Sequence, residues 1–131
     1  MVRILVVDDH APVRRSIRSL LGSREGWLVC AEAADGLQAV EQAKLLRPDL
    51  IIMDVSMPNM NGLDATQIIL REIREARILI ISQNDPSIVR RQAIEACAHG
   101  LIEKSNLQRD LVSAAECILS GDGQSKVDKA S

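Results

Sequence analysis

The chain has 131 residues, 47% of them apolar and 26% charged, with a formal net charge of −2. That length suits one domain able to bury its own core without a disulfide or metal staple, and the composition is globular rather than disordered or membrane-embedded. Basic pairs such as Arg14-Arg15 and Arg90-Arg91 sit near acidic residues on helical patterns, which argues against direct nucleic-acid binding, and no apolar run approaches the ~20 residues of a membrane span, so a cytoplasmic chain with no membrane partner is expected.

In chain order, the apolar runs are "RILVVD", "WLVCAEA", "DLIIMD", "RILIIS" and "GLIEK", which predicts five strands. Two or three of them are apolar at consecutive positions rather than alternately, as strands covered on both faces of a parallel sheet are. Between them, Val13, Ile17, Leu20 and Leu21 recur at helical spacing, as do Leu63, Ile69, Leu70 and Ile73, and then Leu107, Leu111, Ala114 and Ile118. Asp35-Gly36 and Asn61-Gly62 read as turns. Asp85-Pro86 reads as an N-cap followed by a first-turn proline, and Ser105 with Gln108 has capping-box spacing. This alternation implies an α/β fold: an open parallel sheet with right-handed crossovers and helices on both faces. Residues 1–120 are expected to form the domain, and 121–131 a tail or the start of a linker. Cys30, Cys97 and Cys117, widely spaced among apolar neighbours, read as reduced core residues.

In such sheets the functional groups lie at the carboxyl ends of the strands. Here those ends carry Asp8-Asp9, Asp54, Ser82 and Lys104. Each has a plain alternative: Asp54, Asp8 and Asp9 could cap helices, Ser82 could be a turn serine, and Lys104 could be a solvated charge. Converging on one edge, however, three carboxylates repel unless a cation sits among them, and an all-oxygen set with room for water suits Mg²⁺. Lys104 would supply positive charge to phosphoryl oxygens and Ser82 a hydroxyl, while an aspartate can itself accept a phosphoryl group as an acyl phosphate. His10 reads as a pocket-rim residue, His99 as a solvent-exposed turn residue, and Met53, Met57 and Met60 as packing and loop residues.

The motifs "LVVDDH", "DLIIMDVSMPNMNG", "LIISQND" and "GLIEKS", in this order and spacing, resemble the receiver domain of two-component response regulators, most closely the NarL/FixJ type. The resemblance covers residues 2 to about 120 and implies a flavodoxin-like (βα)₅ fold with strand order 2-1-3-4-5. It further implies that Asp54 is the phosphoacceptor, with Mg²⁺ or Mn²⁺ held by Asp9, by Asp54 and by the backbone carbonyl of Ser56, and by Asp8 through water. Ser82 matches the switch hydroxyl and Lys104 the phosphoryl-pairing lysine. Pro58 and Gly62 match the loop that shapes the pocket, and Ser56 and Asn84 the positions that tune acyl-phosphate lifetime.

Four positions depart from the pattern. Leu101 stands where Tyr or Phe usually couples phosphorylation to the face of the fourth helix and fifth strand. Gln83 replaces a small residue, Cys97 a glycine, and Ser105 the proline that often follows the lysine.

The implied function is a phosphorelay receiver. A sensor histidine kinase, or a small phosphodonor, phosphorylates Asp54 and so switches partner or homodimer contacts, the chain catalysing only its own phosphorylation and dephosphorylation. It would be the receiver part of a transcriptional regulator whose helix-turn-helix domain is absent here, or a stand-alone receiver. The alternative is a phosphorylation-independent interaction module, which Leu101 motivates. A phosphatase of the haloacid-dehalogenase type is disfavoured because Ser56 stands where its second aspartate would be.

Overall fold

The computed structural model describes residues 1–83 and 86–121, with backbone only at Pro86. Asn84 and Asp85, with the lifetime position and the N-cap expected there, lie outside the described residues, as do residues 122–131. Five strands alternate with helices: β1 (Val2–Val7), α1 (Ala11–Gly22), β2 (Trp27–Ala33), α2 (Gly36–Leu46), β3 (Leu50–Asp54), α3 (Gly62–Glu72), β4 (Ile78–Ser82), α4 (Pro86–Glu95), β5 (Gly100–Glu103) and α5 (Leu107–Ser120). All strand pairings are parallel, in the order β2-β1-β3-β4-β5.

The consecutive apolar residues of β1, β3 and β4 are explained by two cores. Leu5, Val7, Ile51, Met53, Ile78 and Ile80 point to the face covered by α2, α3 and α4, where they meet Ala39, Ile69 and Val89. Their alternates, Ile4, Val6, Leu50, Ile52, Leu79 and Ile81, point to the face covered by α1 and α5, where they meet Ile17, Leu21 and Leu111. Because successive strand side chains face opposite sides, a strand buried on both faces must be apolar throughout. The strand order reverses between β1 and β3, which leaves a crevice at their carboxyl ends.

Several local expectations are corrected. Asp35 and Asn61 are helix N-caps rather than turn residues: their side chains accept hydrogen bonds from the Gln38 and Asp64 backbone N–H groups, opening α2 and α3. The capping box expected at Ser105 does not form. The chain leaves β5 through a single 3₁₀ turn, Lys104–Asn106, and α5 starts only at Leu107 with Asn106 at its N-cap and no side-chain capping bond.

The cysteines are not core residues: Cys97 is exposed, and Cys30 and Cys117 are half-buried. Cys97 has a positive φ of 65° and ends the turn after α4. Its N–H donates to the Ile94 carbonyl and the Ala98 N–H to that of Ala93, the paired bonds of a Schellman motif, whose left-handed position glycine usually fills.

His99 is not solvent-exposed but half-buried, and its Nδ1 accepts a hydrogen bond from the Ile78 backbone N–H at 3.1 Å. Met53 is buried, and Met57 and Met60 pack partly buried against the same core. Among the described residues, no helix is long and apolar enough to cross a membrane.

Candidate functional site

The expected constellation assembles at the crevice. Asp8 directly follows β1, Asp54 closes β3, Ser82 closes β4, and Lys104 directly follows β5. Asp8, Asp54 and Ser82 are buried polar residues, at 0%, 2% and 2% exposure. Lys104 reaches both carboxylates: its Nζ lies 2.8 Å from Asp8 Oδ2 and 3.1 Å from Asp54 Oδ1. The approach to Asp8 Oδ2 is an ion pair without aligned hydrogen-bond geometry, and Asp54 Oδ2 is buried with no hydrogen-bond partner among the described residues. One ammonium therefore serves two buried carboxylates and leaves one oxygen orphaned.

The electrostatics follow from that shortage. Burial, then the Asp8 charge, push the Asp54 carboxyl up to about 6 against the opposing pull of Lys104. Burial alone would lower the Lys104 ammonium, but its pairing with Asp8 and Asp54 outweighs that and holds the group above its usual range.

Asp9 and His10 are exposed at the mouth. Ligand atoms of Asp8, Asp9 and His10 all lie within 4.8 Å of one another, a cluster able to hold a metal ion. Asp8 does not cap α1: its Oδ1 accepts from the His10 backbone N–H at 2.8 Å, and His10 itself is the N-cap residue, with no side-chain capping bond.

The loop after β3 is shaped by two close approaches. A Cβ on Gly62 would lie 1.8 Å from the Asp54 carbonyl oxygen, so only glycine lets α3 begin directly behind Asp54, where the Gly62 N–H donates to the Val55 carbonyl at 2.9 Å. Farther along, Asn59 adopts a positive φ and its side-chain amide donates to Asp35 Oδ2, tying the loop to the cap of α2. Ser56 is exposed at the start of this loop. Gln83 is exposed at the rim of a cleft of about 320 Å³ shared with Ser82, Glu103, Lys104 and Ser105. Leu101 is partly buried against the core under α4 and also edges a groove of about 300 Å³ with Arg90, Glu103 and Arg109.

Two contributors were not anticipated. Arg14, read as part of a solvated basic pair, is only 19% exposed; it donates to the Asp8 backbone carbonyl at 2.6 Å and to Glu32 Oε1 at 2.8 Å. Glu32 on β2 also pairs with Arg18. Partial burial would raise its carboxyl, but the hydrogen bonds from Arg14 and Arg18 bring it below the usual range. The arginine pins the strand end that carries Asp8 to the sheet edge.

The model of the response regulator receiver domain family matches residues 4–116. This chain belongs to the response regulator receiver family. It is 33% identical over 123 residues to the response regulator GacA of Pseudomonas viridiflava, and 33% identical over 121 residues to the response regulator UvrY of Escherichia coli K12. In both cases 92% of the chain is covered, and it spans only 56% of the relative's length. Among solved structures, it matches a LuxR-family two-component response regulator from Aurantimonas sp. SI85-9A1 with TM-score 0.87 and 40% identity, covering 91% of this chain and 85% of that one. It also matches the signal receiver domain of the response regulator NarL from Mycobacterium tuberculosis with TM-score 0.85 and 30% identity, covering 92% and 97%. The five-stranded order 2-1-3-4-5 is the receiver fold, and two-component signalling is the family's function.

Proposed function

We propose that this receiver accepts a phosphoryl group on Asp54 in a divalent-cation-dependent reaction, with a sensor histidine kinase or a small acyl phosphate as donor. The observation that carries the reading is the orphaned, buried Asp54 Oδ2 beside Asp8 and Lys104. A strand end holding two carboxylates on one ammonium is short of positive charge, and the donors at hand are all hard oxygens apart from His10. The residues therefore fit a Mg²⁺ or Mn²⁺ ion, which Asp9, Asp54 and the Ser56 backbone carbonyl would hold directly and Asp8 through water. Bound there, the ion neutralises charge on the transferring phosphoryl oxygens.

In the transfer, phosphorus forms a bond to an Asp54 carboxylate oxygen while its bond to the donor breaks. The leaving imidazole or acetate departs with the electron pair. Lys104, already 3.1 Å from Asp54 Oδ1, is placed to pair with a phosphoryl oxygen, and Ser82 at the end of β4 would donate its hydroxyl to another. Ser56 and Asn84 tune the lifetime of the acyl phosphate. The chain acts only on itself, in the cytoplasm, and hands the change on through a partner or homodimer face, as the receiver part of a transcriptional regulator.

Incubation with acetyl phosphate and Mg²⁺ should add one phosphoryl group by mass spectrometry. The gain should vanish with Asp54→Asn or with chelator. No gain in the unmutated chain overturns the reading.

Leu101 supports a second reading, an interaction module indifferent to phosphorylation. Leucine has no hydroxyl edge to exchange between solvent and interior, and this one is packed against the core. That reading predicts backbone amide shifts confined to the pocket after phosphorylation of Asp54. Shifts extending across α4 and β5 would exclude it.

A further inference from the structure

We propose that His10 is a metal-selectivity residue, its imidazole adding a nitrogen ligand to the Asp8-Asp9 pair so that the pocket prefers Co²⁺, Ni²⁺ or Zn²⁺ to Mg²⁺. The inference rests on the reading of the pocket as a divalent-cation site and concerns which cations it selects.

The imidazole pairs with the two carboxylates and does not cap the helix it precedes. His10 caps α1 through an extended backbone (φ −102°, ψ 111°) and makes no side-chain capping bond. Its side chain is 60% exposed, yet it stays at the acidic pair, with Nδ1 3.0 Å from Asp9 Oδ1 and 3.4 Å from Asp8 Oδ1. Two ligands at right angles about a cation at ~2.1 Å lie about 3.0 Å apart, and two at the tetrahedral angle about 3.4 Å apart. The 3.0 Å between His10 Nδ1 and Asp9 Oδ1 fits two ligands of one ion as well as it fits the ion pair that the two groups form without one. The His10 backbone N–H also donates to Asp8 Oδ1 at 2.8 Å, so the residue orients the carboxylate that would reach the ion through water.

The cluster is more than an acidic helix start. The buried Asp54 carboxylate, whose Oδ2 has no hydrogen-bond partner among the described residues, is linked to Asp8 through their shared Lys104. Asp9 and His10 are both exposed, so small side-chain rotations can close the set on an ion. Carboxylates alone suit Mg²⁺ and Mn²⁺, whereas an imidazole nitrogen shifts a mixed site toward later divalent metals along the Irving–Williams order.

Isothermal titration of the whole chain with CoCl₂ and with MgCl₂, in wild type and in His10→Gln, tests this. Proton NMR of the Co²⁺ form should show a hyperfine-shifted exchangeable imidazole resonance that is missing from the variant. Removing partners that merely support a ligand weakens metal binding about 10–100-fold, so loss of the ligand itself should weaken Co²⁺ by at least about tenfold and Mg²⁺ by less than about threefold.

Equal losses for both metals, or none for Co²⁺, while Mg²⁺ binding persists and depends on Asp9, would overturn the role of His10 and leave the divalent site standing. Absence of any binding in wild type, or binding that survives Asp9→Asn combined with Asp54→Asn, would overturn the divalent site and the selectivity with it.

Discussion

Replacing Asp54 by asparagine removes a charge that the metal-free fold carries at a cost. The carboxyl titrates at about 6 in the folded protein against an ordinary 3.8, because burial and the Asp8 charge oppose its ionisation. The folded state therefore holds the proton more tightly than the unfolded one. Below about pH 3.8 both states are protonated and nothing is lost; as pH rises through 6 the fold gives up about 2 units at 1.36 kcal/mol each, or about 3 kcal/mol. Asparagine resembles the protonated form, so Asp54→Asn in chelator at pH 7.5 should be more stable than wild type by about 1–3 kcal/mol. Near pH 5, midway through the window, the difference should fall to about half. Urea unfolding followed by far-UV circular dichroism and by Trp27 emission measures both. Saturating Mg²⁺ should then stabilise wild type and leave the variant nearly unmoved, which closes the gap by linkage. A variant no more stable than wild type in chelator, or a gap that ignores pH, would refute the account of Asp54 as a charge awaiting a cation.

Lys104→Ala leaves Asp8 and Asp54 buried without their shared ammonium. It should cost about 3 kcal/mol at pH 7.5 in chelator, recovered by acid or by Mg²⁺ in urea titrations. Gly62→Ala must displace the Asp54 carbonyl and should cost about 3 kcal/mol or more. Gly22→Ala, with nothing within 4 Å of the new methyl, should be neutral or add about 0.5–1 kcal/mol, as parallel thermal melts would show. Burial, with the Arg77 charge, lowers the His99 imidazole below 6.5, and its Nδ1 accepts from Ile78 only while unprotonated. Its stabilisation is thus complete above pH 6.5 and lost as pH falls through the folded value, so the advantage of wild type over His99→Ala should shrink between pH 7.5 and 5.

What could be read from the residue string was whatever burial dictates locally. β3 and β4 up to their terminal polar residues, and β1 from Ile4 on, are apolar at consecutive positions because each lies between two helical layers. Asp8, Asp54, Ser82 and Lys104 were legible for a related reason: each polar residue stands where such a run stops. Arg14 was not legible. Its partners are the Asp8 carbonyl and Glu32, 18 residues on in β2, and only the order β2-β1-β3, which no spacing encodes, makes them neighbours. His99 fails for the same reason, since its acceptor role depends on the start of β4 lying beside it. At Ser105 a local rule was overridden. Lys104 turns inward to two carboxylates, the chain spends a 3₁₀ turn there, and the capping pattern one residue later has no helix start to cap.

These contacts give the site a stored imbalance with a definite direction. The Asp54 carboxylate is held against its preference on an ammonium it shares with Asp8, and the strands beneath them are too well packed to relax. Charge arriving at the crevice must therefore act through the parts that can move: the exposed Asp9 and His10, the Lys104 turn, and the loop held by Asn59 on Asp35. In the proposed reaction a bound cation would relieve Asp54 directly, and a phosphoryl group on Asp54 would compete with the carboxylates for Lys104, which now ties the start of the 3₁₀ turn to β3. Leu101 lies between that turn and α4, packed into the core on one side and open to the groove on the other. A leucine transmits only changes of shape, so in this receiver the α4–β5 face can respond to the pocket through displacement of packed side chains and not through the reorientation of a hydroxyl.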